Sequence, residues 1–178
     1  MEDQAADRSE SIPRAEALAQ ILTSVERLAM LYYHFANTLV AELGEEKGKE
    51  LIRKAIESYG TEVGERQRRR VTAAGYAASC ENYKVLPDLP ALAWSQEGMP
   101  KLVRQGKEIS ICPLAKYWME KGAADLGRLY CHVDQAKYST FDPECECRHL
   151  ENVLDGDERC LIVIKKKSEW DEVTGGVR

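Results

Sequence analysis

From Arg14 to Leu43 apolar side chains recur at helical spacing: Leu18, Ile21, Leu22, Val25, Leu28, Ala29, Tyr32, Phe35, Ala36, Leu39, Val40 and Leu43. That period predicts one long amphipathic helix, with Gly44 as the C′ residue that ends it. A second helix opens on Glu45-Glu46, acidic residues that suit a positive helix N-terminus. It continues through Leu51, Ile52, Ala55, Ile56, Tyr59 and Val63 to about Val71. Gly60 and Gly64 inside it point to close packing or a bend. Two long helices joined by so short a turn predict an antiparallel hairpin.

Beyond Tyr76 the pattern shortens. A short helix or loop surrounds Cys80-Glu81-Asn82-Tyr83, followed by the breakers Pro87 and Pro90. Leu92-Ala93-Trp94 and Ile109-Ser110-Ile111-Cys112 read as short strands, separated by a polar connection holding Gly98, Pro100 and Gly106. Pro113 suits the first turn of a helix over Leu114–Glu120. Gly122 ends that helix, and another is predicted over Ala123–Tyr138. Cys145–Leu154 alternates and Arg159–Lys166 is rich in Leu, Ile and Val, with turn chemistry at Asp155-Gly156-Asp157-Glu158 between them; this predicts a β-hairpin. The fold class expected is α+β, a long N-terminal helical hairpin packed on a small antiparallel sheet. Residues 1–13 read as a disordered tail, 14–167 as one domain and 168–178 as a frayed tail.

Composition narrows the function classes. The 178 residues carry 44% hydrophobic and 31% charged side chains and a net charge of −5, as in ordinary globular proteins. An acidic balance argues against a general nucleic-acid surface; the basic runs Arg66–Arg70 and Lys165–Lys167 are short and read as solvated faces. No apolar run approaches the roughly 20 residues a membrane span needs. The start Met1-Glu2-Asp3-Gln4 lacks the basic and apolar regions of a secretory signal. The expected location is therefore the cytoplasm, with all six cysteines reduced. The expected partner is a small molecule, with no nucleic acid, no membrane and no cofactor, and the long first helix is a candidate dimerisation surface.

Thiols and carboxylates supply the candidate chemistry. Cys131 and Asp134 are three apart on the predicted helix and so share a face. A carboxylate raises a neighbouring thiol pKa, so Asp134 is better cast as a base towards substrate or water, or as the partner of a cationic amidine. The alternative is a buried cysteine beside a capping aspartate. Cys112 precedes Pro113 at a helix start, where the dipole favours a thiolate; the alternative is a strand-end core cysteine. Cys145-Glu146-Cys147-Arg148-His149 puts Cys145, Cys147 and His149 on one strand face and invites a zinc reading. The second ligand pair of a structural zinc site is missing, however, and no bound metal is expected. His132 is adjacent to Cys131 and points elsewhere on a helix, which argues against a dyad between them. Glycine-rich phosphate loops, Gly-x-Ser-x-Gly and His-Glu-x-x-His are all absent.

Several of these segments together resemble the L-2-amino-thiazoline-4-carboxylic acid hydrolase family. They are Ala41-Glu42-Leu43-Gly44-Glu45-Glu46-Lys47-Gly48, Cys112-Pro113, Tyr130-Cys131-His132-Val133-Asp134, Phe141-Asp142-Pro143 and Gly156-Asp157-Glu158-Arg159-Cys160. The resemblance covers about residues 27–165. It implies hydrolytic opening of a small sulfur–nitrogen ring at a C–N bond, giving a carbamoyl-cysteine on the way to cysteine. It also implies a site formed by Cys131, Asp134 and Cys112 as catalytic groups, with His132, Tyr138 and Cys160 against substrate. Glu151–Cys160 is similar, too, to the end of vinyl-reductase-type ligand domains related to the TRAPP fold. Some of those bind zinc through a cysteine eight residues before the last one. Asn152 occupies that position here, and the likeness implies a non-catalytic small-ligand domain as the alternative.

Overall fold

The computed structural model describes residues 12–89, 106–109 and 112–170. Its elements are α1 (Arg14–Leu43), α2 (Glu45–Ala73), β1 (Gly106–Ile109), α3 (Pro113–Glu120), α4 (Ala124–Tyr130), α5 (His132–Phe141), β2 (Cys145–Glu151) and β3 (Cys160–Lys166). Short 3-10 turns cover Cys80–Val85, Val153–Asp155 and Lys167–Glu169. The three strands form one antiparallel sheet in the order β1-β3-β2, and the class is α+β.

The helical hairpin closes at Gly44, whose φ of +82° is open to glycine and strained for other residues. The buried positions of α2 fall largely four apart: Gly48, Ile52, Ile56, Gly60 and Gly64, followed by Gln67 and Val71. Where this stripe lacks side chains, backbones meet. A β-carbon at Gly60 would sit 2.7 Å from Ala136 Cβ and 2.7 Å from Val133 O, and one at Gly64 would collide with Lys137 O and come within 2.9 Å of Thr140 Cβ. The two glycines therefore seat α5 directly on α2. On its other side α5 faces the sheet: Tyr138 and Phe141 pack with Val71, Tyr83, Cys145, Cys147, Cys160, Ile162 and Ile164. Buried Gln67 pins the segment after α2 by donating Nε2 to Tyr83 O (2.9 Å) and Leu86 O (2.6 Å).

The structure corrects several expectations. A strand runs over Gly106–Ile109, so Gly106 opens a strand instead of lying in a connection, while Ser110 and Ile111 of the strand expected at 109–112 lie outside the described residues. Cys112 has extended backbone and caps α3. The single helix over Ala123–Tyr138 is two, broken at Cys131, and the second runs on to Phe141. β2 stops at Glu151, because the chain bulges after His149 and then turns, the Asn152 side chain accepting from Leu154 N. His149 therefore faces Ile162, two residues from Cys160 along β3. Cys80 and Cys145 form a disulfide, against the expectation that every cysteine is reduced. The chain after Lys167 does not fray at once: Trp170 is buried beneath Arg148 and Lys165. The strand expected at Leu92-Ala93-Trp94 lies outside the described residues, as do the breakers Pro90, Gly98 and Pro100. Among the described residues, no helix is long and apolar enough to cross a membrane.

On α1 the apolar stripe is wider than the buried face. Leu28, Leu31 and Phe35 stay exposed and rim an apolar groove of about 230 Å³ with Tyr32, Ile56, Tyr59 and Tyr130.

Candidate functional site

Two segments meet rung by rung. One is the α4–α5 junction, where Cys131 N donates to Arg128 O and Asp134 N to Cys131 O, both at 3.2 Å. Such i to i+3 bonds bring side chains three apart into line, so Arg128, Cys131 and Asp134 form a row. The other is the end of β2 and its 3-10 turn, which offers His149, Asn152 and Asp155, again three apart. Asp134 Oδ2 lies 3.1 Å from His149 Nε2. Cys131 Sγ accepts from Asn152 Nδ2 at 3.5 Å. Arg128 Nε donates to Asp155 Oδ2 at 2.7 Å.

Hydrogen bonding sets the state of the central groups. Asn152 is 1% exposed. Its Oδ1 accepts from Leu154 N (3.0 Å) and its backbone N donates to Asp157 Oδ2 (2.7 Å), which leaves Nδ2 facing the ladder. Nδ2 donates to His149 Nδ1 at 3.0 Å as well as to the Cys131 sulfur. His149 Nδ1 thus accepts from Asn152, and Nε2 carries a proton and donates it to Asp134.

Behind Asp134 lies a buried ammonium. Lys137 Nζ is 2.8 Å from Asp134 Oδ1 and 3.1 Å from Asp88 Oδ2, and Asp88 also accepts from Tyr83 OH at 2.9 Å. Burial by itself pushes the Asp134 carboxyl up, but the Lys137 charge and the His149 N–H outweigh it and hold the group well below the usual carboxylate range. Burial likewise pulls the Lys137 ammonium down, and its two carboxylates more than reverse this. Asp134 is therefore a fixed anion at neutral pH. Burial pushes the Cys131 thiol up to about 12, against a smaller opposing effect of the Asn152 N–H. At rest Cys131 is a protonated thiol.

The other residues singled out from sequence spread around this ladder. Cys112 lies close enough to Cys131 and Cys160 for its charge to raise both thiols. It packs against the cluster of Val25, Ala29, Leu114, Trp118 and Leu154, as Cys131 does. Cys160 is buried at the start of β3, opposite Ile109. Tyr138 is fully buried, its ring 4.2 Å from that of Tyr83, in the core and not at a cavity wall. His132 faces a different region: an open groove of about 460 Å³ between α2, α5 and β2, also lined by Glu57, Thr61, Gln135, Ser139, Glu146 and Lys167. Neither Cys131 nor Asp134 lines that groove or the apolar one on α1. The strand face carrying Cys145, Cys147 and His149 is committed elsewhere, Cys145 to the disulfide and His149 to Asp134 and Asn152. Among the described residues, no group of His, Cys, Asp and Glu could hold a metal ion.

Six residues of this centre escaped the sequence reading of the site: Arg128, Lys137, His149, Asn152, Asp155 and Asp88. His149 was visible only as a member of the alternating strand face. The repeat of three on both segments was present in the chain, but nothing in it says that the two segments face one another.

Compared with curated proteins the chain matches none, and it matches no solved structure. The family model for L-2-amino-thiazoline-4-carboxylic acid hydrolase does match, over residues 24–163. That span runs from within α1 into β3 and includes every rung of the ladder. The chain belongs to the L-2-amino-thiazoline-4-carboxylic acid hydrolase family.

Proposed function

We propose that this protein is a hydrolase that opens a small cyclic amidine, 2-amino-thiazoline-4-carboxylate, with Cys131 as nucleophile, His149 as its base and Asp134 orienting His149. One observation carries the reading: the chain Cys131–Asn152–His149–Asp134, in which a carboxylate accepts from one imidazole nitrogen while the other accepts from the Asn152 amide that also donates to the thiol sulfur. Nucleophile, base and orienting acid have this order in nucleophilic hydrolases. Sγ and Nδ1 contact the same Asn152 nitrogen, so the amide must turn aside before the thiol meets the imidazole.

The steps balance as follows. His149 Nδ1 takes the Cys131 proton, and Sγ attacks the amidine carbon between the ring sulfur and the two nitrogens. The ring carbon–sulfur bond breaks, and the departing sulfur takes the proton back from His149. Water, deprotonated by His149, then attacks the same carbon; its second proton passes to the amidine nitrogen as the carbonyl forms, and the departing Cys131 sulfur takes the proton back from His149. The product is a carbamoyl-cysteine that keeps both carbon–nitrogen bonds of the amidine. Breaking the ring carbon–nitrogen bond, the cleavage expected from the sequence, would instead leave the carbamoyl group on the cysteine sulfur, so the position of that group in the product distinguishes the two routes. Asp134 balances the imidazolium formed on the way, and its fixed charge favours the cationic form of the substrate.

A second reading, a small-ligand domain without turnover, draws support from the Cys131 thiol being held protonated and from Asn152 occupying His149 Nδ1. Purified protein mixed with the compound separates the two. Thiol release followed with a chromogenic disulfide, and a carbamoyl product seen by mass spectrometry, are the expected results. Cys131→Ser and His149→Gln should each lose roughly 10²–10⁴-fold. Binding without product in the wild type would leave the ligand domain as the better account.

A further inference from the structure

Within the reading of a Cys131-centred site, we propose that Arg128 is its anion subsite: the guanidinium holds the carboxylate of the substrate and so sets its ring against Cys131. The row of three side chains is the basis. Cys131 stands between a cation and an anion on successive turns, linked by the 3.2 Å backbone bonds from Cys131 N to Arg128 O and from Asp134 N to Cys131 O.

The two cations of this region differ in what they have left to offer. Lys137 is 8% exposed and held by two carboxylates, at 2.8 and 3.1 Å. Arg128 is 27% exposed and among the described residues makes one ion pair, from Nε to a single oxygen of half-exposed Asp155. A guanidinium has five N–H donors in a planar fork, and a carboxylate takes two of them side by side. The Asp155 contact engages Nε at 2.7 Å and keeps the group in place on the row that carries Cys131. A substrate carboxylate docking on the remaining edge would set the ring over the thiol. Amidines without a carboxylate would lack that anchor.

The test pairs two substrates with two variants. Hydrolysis of 2-amino-thiazoline-4-carboxylate and of 2-amino-thiazoline, which lacks the carboxylate, is measured for wild type, Arg128→Gln and Arg128→Lys. Arg128→Gln should raise KM for the carboxylated compound roughly 10- to 100-fold, the worth of a charged hydrogen-bonded pair. The loss in kcat/KM for the compound without the carboxylate should be at least about tenfold smaller, so that the preference for the carboxylated compound collapses. Arg128→Lys should recover part of the loss, since a point charge replaces the fork. Equal losses on both compounds would mean that Arg128 only supports the turn at Asp155, and no loss on either would remove it from recognition; both results overturn the proposal. If the wild type hydrolyses neither compound, the hydrolase reading fails separately, and calorimetric binding of the same two compounds decides the matter. A preference for the carboxylated one that vanishes in Arg128→Gln sustains the subsite, and its absence in the wild type or persistence in the variant refutes it.

Discussion

Replacing Asp134 by Asn tests whether a buried ionised carboxylate organises the centre. The variant keeps the shape but loses the charge. Wild-type Asp134 takes Lys137 Nζ on one oxygen at 2.8 Å and His149 Nε2 on the other at 3.1 Å. An amide has one acceptor oxygen, so one of those donors must face an N–H. Removing one partner of a buried ion pair costs about 3–5 kcal/mol when the other charge is stranded. Here Lys137 keeps Asp88 at 3.1 Å, so the expected loss at neutral pH is lower, about 2–3 kcal/mol. The pH dependence carries a sign. The folded carboxyl sits below its unfolded value, so its stabilisation is complete well above the unfolded pKa near 3.9, roughly from pH 5 upward, and is lost as pH falls through the lower folded value. Urea unfolding of both proteins, from about pH 7 down to about pH 3, should show the gap narrowing only at the acid end. A gap within about 0.5 kcal/mol at neutral pH, the range of a surface change, would refute the reasoning. So would a gap unchanged at the lowest pH.

Gly64→Ala should destabilise by about 1–3 kcal/mol, because its β-carbon meets α5 backbone that has no free rotor to move; a melting temperature equal to the wild type would contradict the packing. Denatured protein should gain two titratable thiols on reduction, from Cys80 and Cys145. Losing that bridge, which closes a separation of 65 residues, should cost about 4 kcal/mol on a chain-entropy estimate, read as a lower urea midpoint for Cys80→Ser. Cys131, pushed up to about 12, should react slowly with iodoacetamide near neutral pH and faster as pH rises, because the thiolate is the reactive form. Peptide mapping that finds Cys131 labelled as fast as a free thiol at neutral pH would show the burial to be wrong.

Local pattern was enough for α1, which runs over Arg14–Leu43 as its 3.6-residue period requires, and for the opening of α2 at Glu45. The α+β class and the final pair of strands were legible for the same reason: period and turn chemistry act between near neighbours. Gly60 and Gly64 also announced close packing, but only the structure names α5 as the partner, since a missing side chain says nothing about what fills its place. The break at Cys131 was invisible because the residues from Ala124 to Phe141 carry no proline or glycine stop at that point. It depends on how α4 and α5 pack on different neighbours. Cys131 and Asp134 could be picked out as a pair, three apart on one segment. Their partners could not. His149, Asn152 and Asp155 reach them only because α5 lies against β2 and the chain turns at Asn152, and contacts between segments follow from packing of the whole chain, which no short stretch encodes. The Cys80–Cys145 bridge was missed for the same reason, since 65 residues separate two thiols that the fold brings together at the edge of the core.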